Sequence, residues 1–229
     1  MPTSKKKYSK VAALAALIVL PAVGIYFLAQ AVWVHEELPY VGERYYSEAK
    51  QDTIYHTVGD VVLYNQHGKK ITYEDFDQKI VIANIFFASC PDVCPEMNKQ
   101  IQVMAEEYVG DPEVVFLTVS IDPERDSVPA LKTYADAYKA DLYKRTFATG
   151  SKREIYDWAI NDLLLATEQR GSDFIHDDRL VIIDKDRHIR GILPTRAPSM
   201  SGKLELIRRI KDDIENLKYE YRKQALDKR

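Results

Sequence analysis

Cys90 and Cys94 are the residues in this chain best suited to reactive chemistry. They are its only cysteines, spaced C-x-x-x-C within Ser89-Cys90-Pro91-Asp92-Val93-Cys94-Pro95. If that segment is helical, the four-residue separation puts both sulfurs on one face. Two adjacent thiolates can hold a soft metal ion or cycle between dithiol and disulfide. The usual exchange motif has two intervening residues, and this one has three. An i, i+4 pair still reaches the Cα separation of about 4.4–6.8 Å that a disulfide needs. An ordinary structural disulfide is the third reading. On the cysteines alone, the metal, redox and structural readings stand level. Two cysteines exclude a multi-disulfide scaffold and a four-thiolate zinc or iron–sulfur site within one chain.

A metal would need further donors, and the histidines are His35, His56, His67, His176 and His188. The first two fall in a polar stretch before the body, His67 in a turn and His188 just after one, so all four read as solvated surface histidines. His176 follows the polar loop Gln169-Arg170-Gly171-Ser172-Asp173 and precedes an apolar strand. Such a loop can fold over a sheet edge. From the residues alone, a surface or capping role for His176 is the preferred reading.

The elements around these residues follow from apolar periodicity. Lys79 to Ala88 is a continuous apolar run, rich in β-branched and aromatic residues, as expected of a central strand covered on both faces. It runs directly into the first cysteine. A helical pattern follows over Glu96 to Tyr108, with Met97, Ile101, Met104 and Tyr108 on one face. Cys90 therefore falls at the end of a strand and Cys94 in the first turn of a helix. There, unpaired N–H groups and a partial positive charge favour thiolate, and Pro95 suits an early helical position.

A second buried strand is expected over Glu113 to Ile121, then the loop Asp122-Pro123-Glu124-Arg125-Asp126-Ser127, read as a turn and helix cap. The helix Val128 to Lys139, a short run at Tyr143–Ala148 and a helix Lys152 to Ile160 come next, the last with a capping box from Ser151 and Glu154. A hairpin pairs Arg179–Asp184 with His188–Leu193, and Gly202 to Arg229 is an amphipathic helix with Leu204, Ile207, Ile214, Leu217 and Tyr221 at helical spacing. Earlier, Val58 to Asn65 and Lys69 to Tyr73 flank a turn and pair as a hairpin. Strand and helix alternate through the middle, so an α/β fold is expected, with a central mixed sheet flanked by helices.

Charge and composition bound the remaining possibilities. Charged residues are 29% and apolar ones 46% of the 229 residues, which fits a folded, water-facing body. The net charge of -3 points away from a nucleic-acid partner. Lys5, Lys6, Lys7 and Lys10 precede an uncharged run over residues 11–34, and Glu36-Glu37 follow it. A helix of that length spans a bilayer core of about 30 Å. The lysines place residues 1–10 as a cytoplasmic basic tail, with the body on the extracytoplasmic, periplasmic side of a single-pass membrane protein. Ala29-Gln30-Ala31 also fits a signal-peptide cleavage site. The run is longer than a usual signal core and continues to Trp33 and Val34, so a retained anchor is favoured. Residues 35–54 read as an aperiodic tether, 55–217 as the folded domain, and 218–229 as a charged helix end.

Taken together, Ser89-Cys90-Pro91-Asp92-Val93-Cys94-Pro95, Val119-Ser120-Ile121-Asp122-Pro123-Glu124-Arg125-Asp126 and the lone His176 before a hairpin strand resemble the Sco/SenC family. Val61 to Gly68 is similar to the family's first hairpin, and the resemblance covers roughly residues 55–215 besides the N-terminal anchor. It implies a thioredoxin-like fold, copper bound by Cys90, Cys94 and His176, and delivery of that copper to the binuclear site of the copper-bearing subunit of cytochrome c oxidase. The cysteines must be reduced before they can take copper, so a thiol reductant partner is expected. Family members often have His-Thr or His-Ser at the histidine, where this chain has His176-Asp177-Asp178. The competing function is a thiol–disulfide oxidoreductase or peroxidase that uses Cys90 and Cys94 without metal.

Overall fold

The apolar run before Cys90 becomes β5 (Ile80–Phe86), all seven of whose residues are buried. The computed structural model describes residues 15–25, 35–91, 93–170, 173–195 and 199–227. Two units are distinguished, Met1–Glu36 and Glu37–Arg229. In the first, residues 15–25 are helical (α1). No described helix is long and apolar enough to cross a membrane. Residues 1–14 and 26–34, which hold the basic tail, the rest of the expected anchor and Ala29-Gln30-Ala31, lie outside the described residues.

The second unit contains β1 (Arg44–Ser47), β2 (Asp52–Tyr55), β3 (Leu63–Asn65), β4 (Lys70–Ile71), β5, α2 (Val93–Glu107), β6 (Val114–Ser120), α3 (Val128–Ala137), β7 (Arg145–Gly150) and α4 (Lys152–Asp157). β8 (Thr167–Arg170), β9 (Asp173–His176), β10 (Arg179–Ile183), β11 (Ile189–Pro194) and α5 (Met200–Asp227) follow. The main sheet has the order β11-β10-β5-β6-β7-β3-β4. β5, β6 and β7 run parallel, joined through α2 and α3, while β10, β11, β3 and β4 add antiparallel edges. This is the mixed sheet expected from the alternating pattern. β5 sits near its centre because a strand apolar on both faces must be covered on both.

Several local expectations differ from the structure. Of the segment 35–54, expected to lack regular structure, residues 37–54 carry β1 and most of β2 and are packed on the body. Leu38 is buried, and its N–H donates to Glu220 Oε1 at 3.1 Å. The Val41 N–H donates to the Ile189 carbonyl at 2.8 Å. Tyr40 stacks on Tyr55 with ring centroids 4.0 Å apart. Gly42 adopts φ 109° against His56, where an added Cβ would come within 2.7 Å of the histidine Cβ. The contacts that hold this strap are single side chains seated on distant elements, so no period in the sequence marks them.

His56, expected on the surface, is half-buried and hydrogen-bonds the Asp162 carbonyl at 2.8 Å. His188 Nδ1 reaches the His56 carbonyl at 2.9 Å. His67 does stay exposed, paired with Asp141 at 2.7 Å. Ser127 and Ser151 stand at helix N-caps, but neither side chain makes a capping hydrogen bond. The helix expected over 152–160 is α4 followed by a π-helical turn, Trp158–Asp162. α5 runs unbroken across residues 217 and 218. Its buried positions are Ile210, Ile214 and Leu217, while Leu204 is 61% exposed. Leu204 keeps the helical spacing but lies on a turn that no described element covers.

Candidate metal centre

The strand–helix junction is built by backbone geometry. β5 ends at Phe86, whose carbonyl accepts from the Ile121 N–H at 2.9 Å. A tight turn follows, with the Cys90 N–H donating to the Phe87 carbonyl at 3.2 Å. α2 then opens at Val93, so Cys94 stands in its first turn, as expected. Asp92, between the cysteines, lies outside the described residues.

No disulfide joins Cys90 to Cys94 in this structure. Cys94 is fully buried and Cys90 is 8% exposed. Their thiols are close enough to hydrogen-bond, and the Phe87 backbone N–H is directed at the Cys94 sulfur. Burial pushes the Cys94 thiol well above its ordinary value; the Phe87 N–H opposes this, while the Cys90 thiol and the Asp126 charge add to it. The helix start was expected to favour thiolate. For Cys94, loss of hydration outweighs the N-terminal field, and the side chain keeps its proton until something displaces it.

Asp126, expected in a simple turn and helix cap, is a buried neighbour of the cysteine pair. Its side chain is buried, and Oδ2 accepts from the Ala88 N–H at 2.9 Å and from the Ser120 hydroxyl at 2.5 Å. It therefore ties the loop after β6 to the two residues ahead of the first cysteine. Burial raises its carboxyl pKa, against the Ser120 and Ala88 hydrogen bonds. Asp122 is buried beside it and paired with Arg125. The only sequence signal for this was the run of charges directly after a buried strand.

One turn beyond Cys94, Asn98 enters a buried polar network. Arg145, in β7, donates to Asn98 Oδ1 at 2.8 Å, to the Asn98 carbonyl at 3.1 Å and to Thr118 Oγ1 at 3.1 Å. Asn98 Nδ2 donates to the Tyr134 hydroxyl at 3.1 Å, and the Tyr138 hydroxyl reaches the Pro95 carbonyl at 3.4 Å. These contacts fix the first turns of α2 against α3 and β7. Three ion pairs fasten α5 along the other side of α2: Lys203–Glu96 at 2.6 Å, Lys211–Glu107 and, just past the end of α2, Lys218–Asp111.

Histidine 176 is the last residue of β9, and its Cα partner in β8 is Thr167. The loop expected over 169–173 is thus largely a hairpin, with residues 171–172 outside the described set. The His176 side chain also lies outside it. Among the described residues, no group of three or more His, Cys, Asp or Glu side chains is gathered as a metal cluster. The structure brings Cys90 and Cys94 together and places the backbone of the histidine strand.

The SCO1/SenC family profile matches residues 49–212. The chain belongs to the SCO1/SenC family. The match takes in both cysteines, Asp126, His176 and the first part of α5. The SCO1 protein homolog of Bacillus subtilis is 25% identical over 140 residues, spanning 59% of this chain and 72% of that protein. The mitochondrial SCO2 homolog of Bos taurus is 36% identical over 101 residues, 42% of this chain and 36% of its own length. The chain thus matches only about a third of that bovine relative. Among solved structures, Arabidopsis thaliana ScoI with copper bound superposes with a TM-score of 0.59 at 20% identity, over 69% of this chain and 98% of that one. The likeness establishes the thioredoxin-like fold of Sco proteins for the body.

Proposed function

We propose that this chain is a membrane-anchored metallochaperone that holds copper through Cys90, Cys94 and His176 and passes it to the binuclear copper site of cytochrome c oxidase during assembly. The observation that carries the reading is the pair of buried, adjacent cysteines at the end of β5 in a chain of this family. The donor chemistry fits: two thiolates and one imidazole are a soft, low-coordinate set suited to Cu(I), whereas a structural zinc site normally takes a fourth protein ligand. The Arabidopsis relative with copper bound supports the choice of metal. In this reading residues 11–34 hold the chain in the membrane with the body outside the cytoplasm, and a thiol reductant keeps the cysteines ready.

Cys90 and Cys94 determine when cargo is accepted. The raised affinity of Cys94 for its proton means that copper must displace that proton to bind. The imidazole completes the set from the β8–β9 hairpin. The contact between the thiols equally suits a thiol–disulfide oxidoreductase, the second reading.

Copper analysis of the full-length chain in mild detergent, reduced and oxidised, separates the two. One copper per reduced chain, lost on oxidation, is the expected result. His176→Ala should weaken binding while leaving the thiols able to exchange, and Cys90→Ser or Cys94→Ser should abolish both. A reduced chain that takes up no copper above background overturns the chaperone reading in favour of the thiol enzyme.

A further inference from the structure

The structure gives Asp177, the residue after the histidine, a definite task. The Asp177 side chain is 8% exposed. Its Oδ2 accepts from the Ala166 N–H at 3.1 Å, on the strand leg entering the hairpin. Its Oδ1 accepts from the Arg179 N–H at 3.1 Å and from Arg179 Nε at 2.7 Å, on the leg leaving it. Arg179 Nη2 closes a second, shorter bond to Oδ2, so the guanidinium grips the carboxylate with two parallel bonds.

The backbone repeats the same closure. The Asp177 N–H donates to the Ala166 carbonyl at 2.9 Å, extending the β8–β9 ladder by one rung past the His176–Thr167 pair. Arg179 begins β10, which pairs with β5 in the main sheet. Thr195 fixes the intervening residue, its N–H donating to the Asp178 carbonyl at 2.9 Å. One carboxylate therefore joins both legs of the hairpin to the start of β10, directly beside the backbone that carries the histidine.

We propose that Asp177 is a positioning residue for His176: with Arg179 it latches the base of the β8–β9 hairpin and so fixes where the imidazole is presented to the metal. This deepens the proposed function and rests on His176 being the third copper donor. A ligand on a short hairpin loses entropy whenever it is held in place for the metal, and a base ordered beforehand removes much of that cost. Groups that orient a metal ligand typically contribute about 10–100-fold in metal affinity. A threonine or serine at this position has no second oxygen with which to grip a guanidinium.

The test is a double-mutant cycle on the reduced full-length chain, with Cu(I) affinity measured by competition with a chromogenic chelator. Thermal unfolding and the Cys90–Cys94 disulfide potential are recorded alongside. Asp177→Ala should lower Cu(I) affinity about tenfold and leave the disulfide potential unchanged. Asp177→Asn, which keeps an acceptor for the backbone N–H groups but loses the ionic grip, should fall between it and wild type and covers the case of an Ala variant that unfolds. In a His176→Ala background, Asp177→Ala should cost nothing further. Wild-type affinity in both Asp177 variants overturns the proposal. So does an equal loss in the two backgrounds, which would mean that Asp177 supports the domain as a whole. If His176→Ala itself binds Cu(I) like wild type, the histidine-ligand reading fails and the latch proposal fails with it, a result distinguishable from the other two.

Discussion

The Asp126 carboxylate accepts the backbone N–H of Ala88 at 2.9 Å, tying the loop after β6 to the turn that presents Cys90. A helix and a strand could meet at this junction without it. The tie is what holds the two residues ahead of the first cysteine in register with the adjacent strand.

Asp126→Ala should therefore leave both the Ala88 N–H and the Ser120 hydroxyl without their acceptor in a buried site. At about 1–3 kcal/mol for each of the two orphaned donors, a loss of roughly 2–6 kcal/mol is expected in chemical denaturation. Asp126→Asn retains an acceptor and should lose less. Equal stability of the Ala variant and wild type would show that the tie contributes nothing.

The strap from Leu38 to Val58 depends on Arg190. That guanidinium pairs with Asp184 at 3.1 Å and Glu220 at 2.9 Å, donates to the Leu38 carbonyl at 2.6 Å and lies 4.3 Å from the Tyr40 ring centroid. Arg190→Ala strands the buried Asp184 carboxylate, and about 3–5 kcal/mol should be lost. Limited proteolysis should then cut within 37–58 before the rest of the body. Unchanged protection of that segment would mean that it is held independently of Arg190.

High pH should destabilise the folded body. Burial raises the phenols of Tyr73, Tyr108 and Tyr221 above their ordinary value of 10.0. A raised pKa means that the native state keeps protons which the unfolded chain gives up. The stability involved is complete below about pH 10 and is lost as pH rises above it. Urea midpoints at about pH 8 and about pH 11 should differ, with the lower midpoint at the higher pH. Equal midpoints would refute the assignment.

Copper occupancy should fall in acid. Each thiol proton that must leave contributes on the order of tenfold in apparent affinity per pH unit. Because burial raises the Cys94 thiol, its proton competes more strongly than that of an ordinary cysteine. Chelator competition between about pH 6 and about pH 8 should show a steep rise in affinity with pH. A flat profile would mean that the thiols are not the ligands.

By itself the sequence determined most elements of the main sheet and the location of the cysteine pair. β5 was legible because a short apolar run rich in β-branched and aromatic residues suits a covered strand. The start of α2 was legible because a helical period follows the cysteine segment, and the edge hairpin because turn residues separate two apolar runs. These signals are local, written in neighbours a few residues apart. Only the tertiary structure decided that Cys94 is desolvated enough to hold its proton, that Asp126 braces the turn before Cys90, and that Asp177 joins both legs of the histidine hairpin. It also decided that the segment 37–58 lies on the body. Each of these depends on groups brought together from distant parts of the chain, and on the low dielectric created when the sheet and its helices exclude water, and neither has a period or spacing to read in advance.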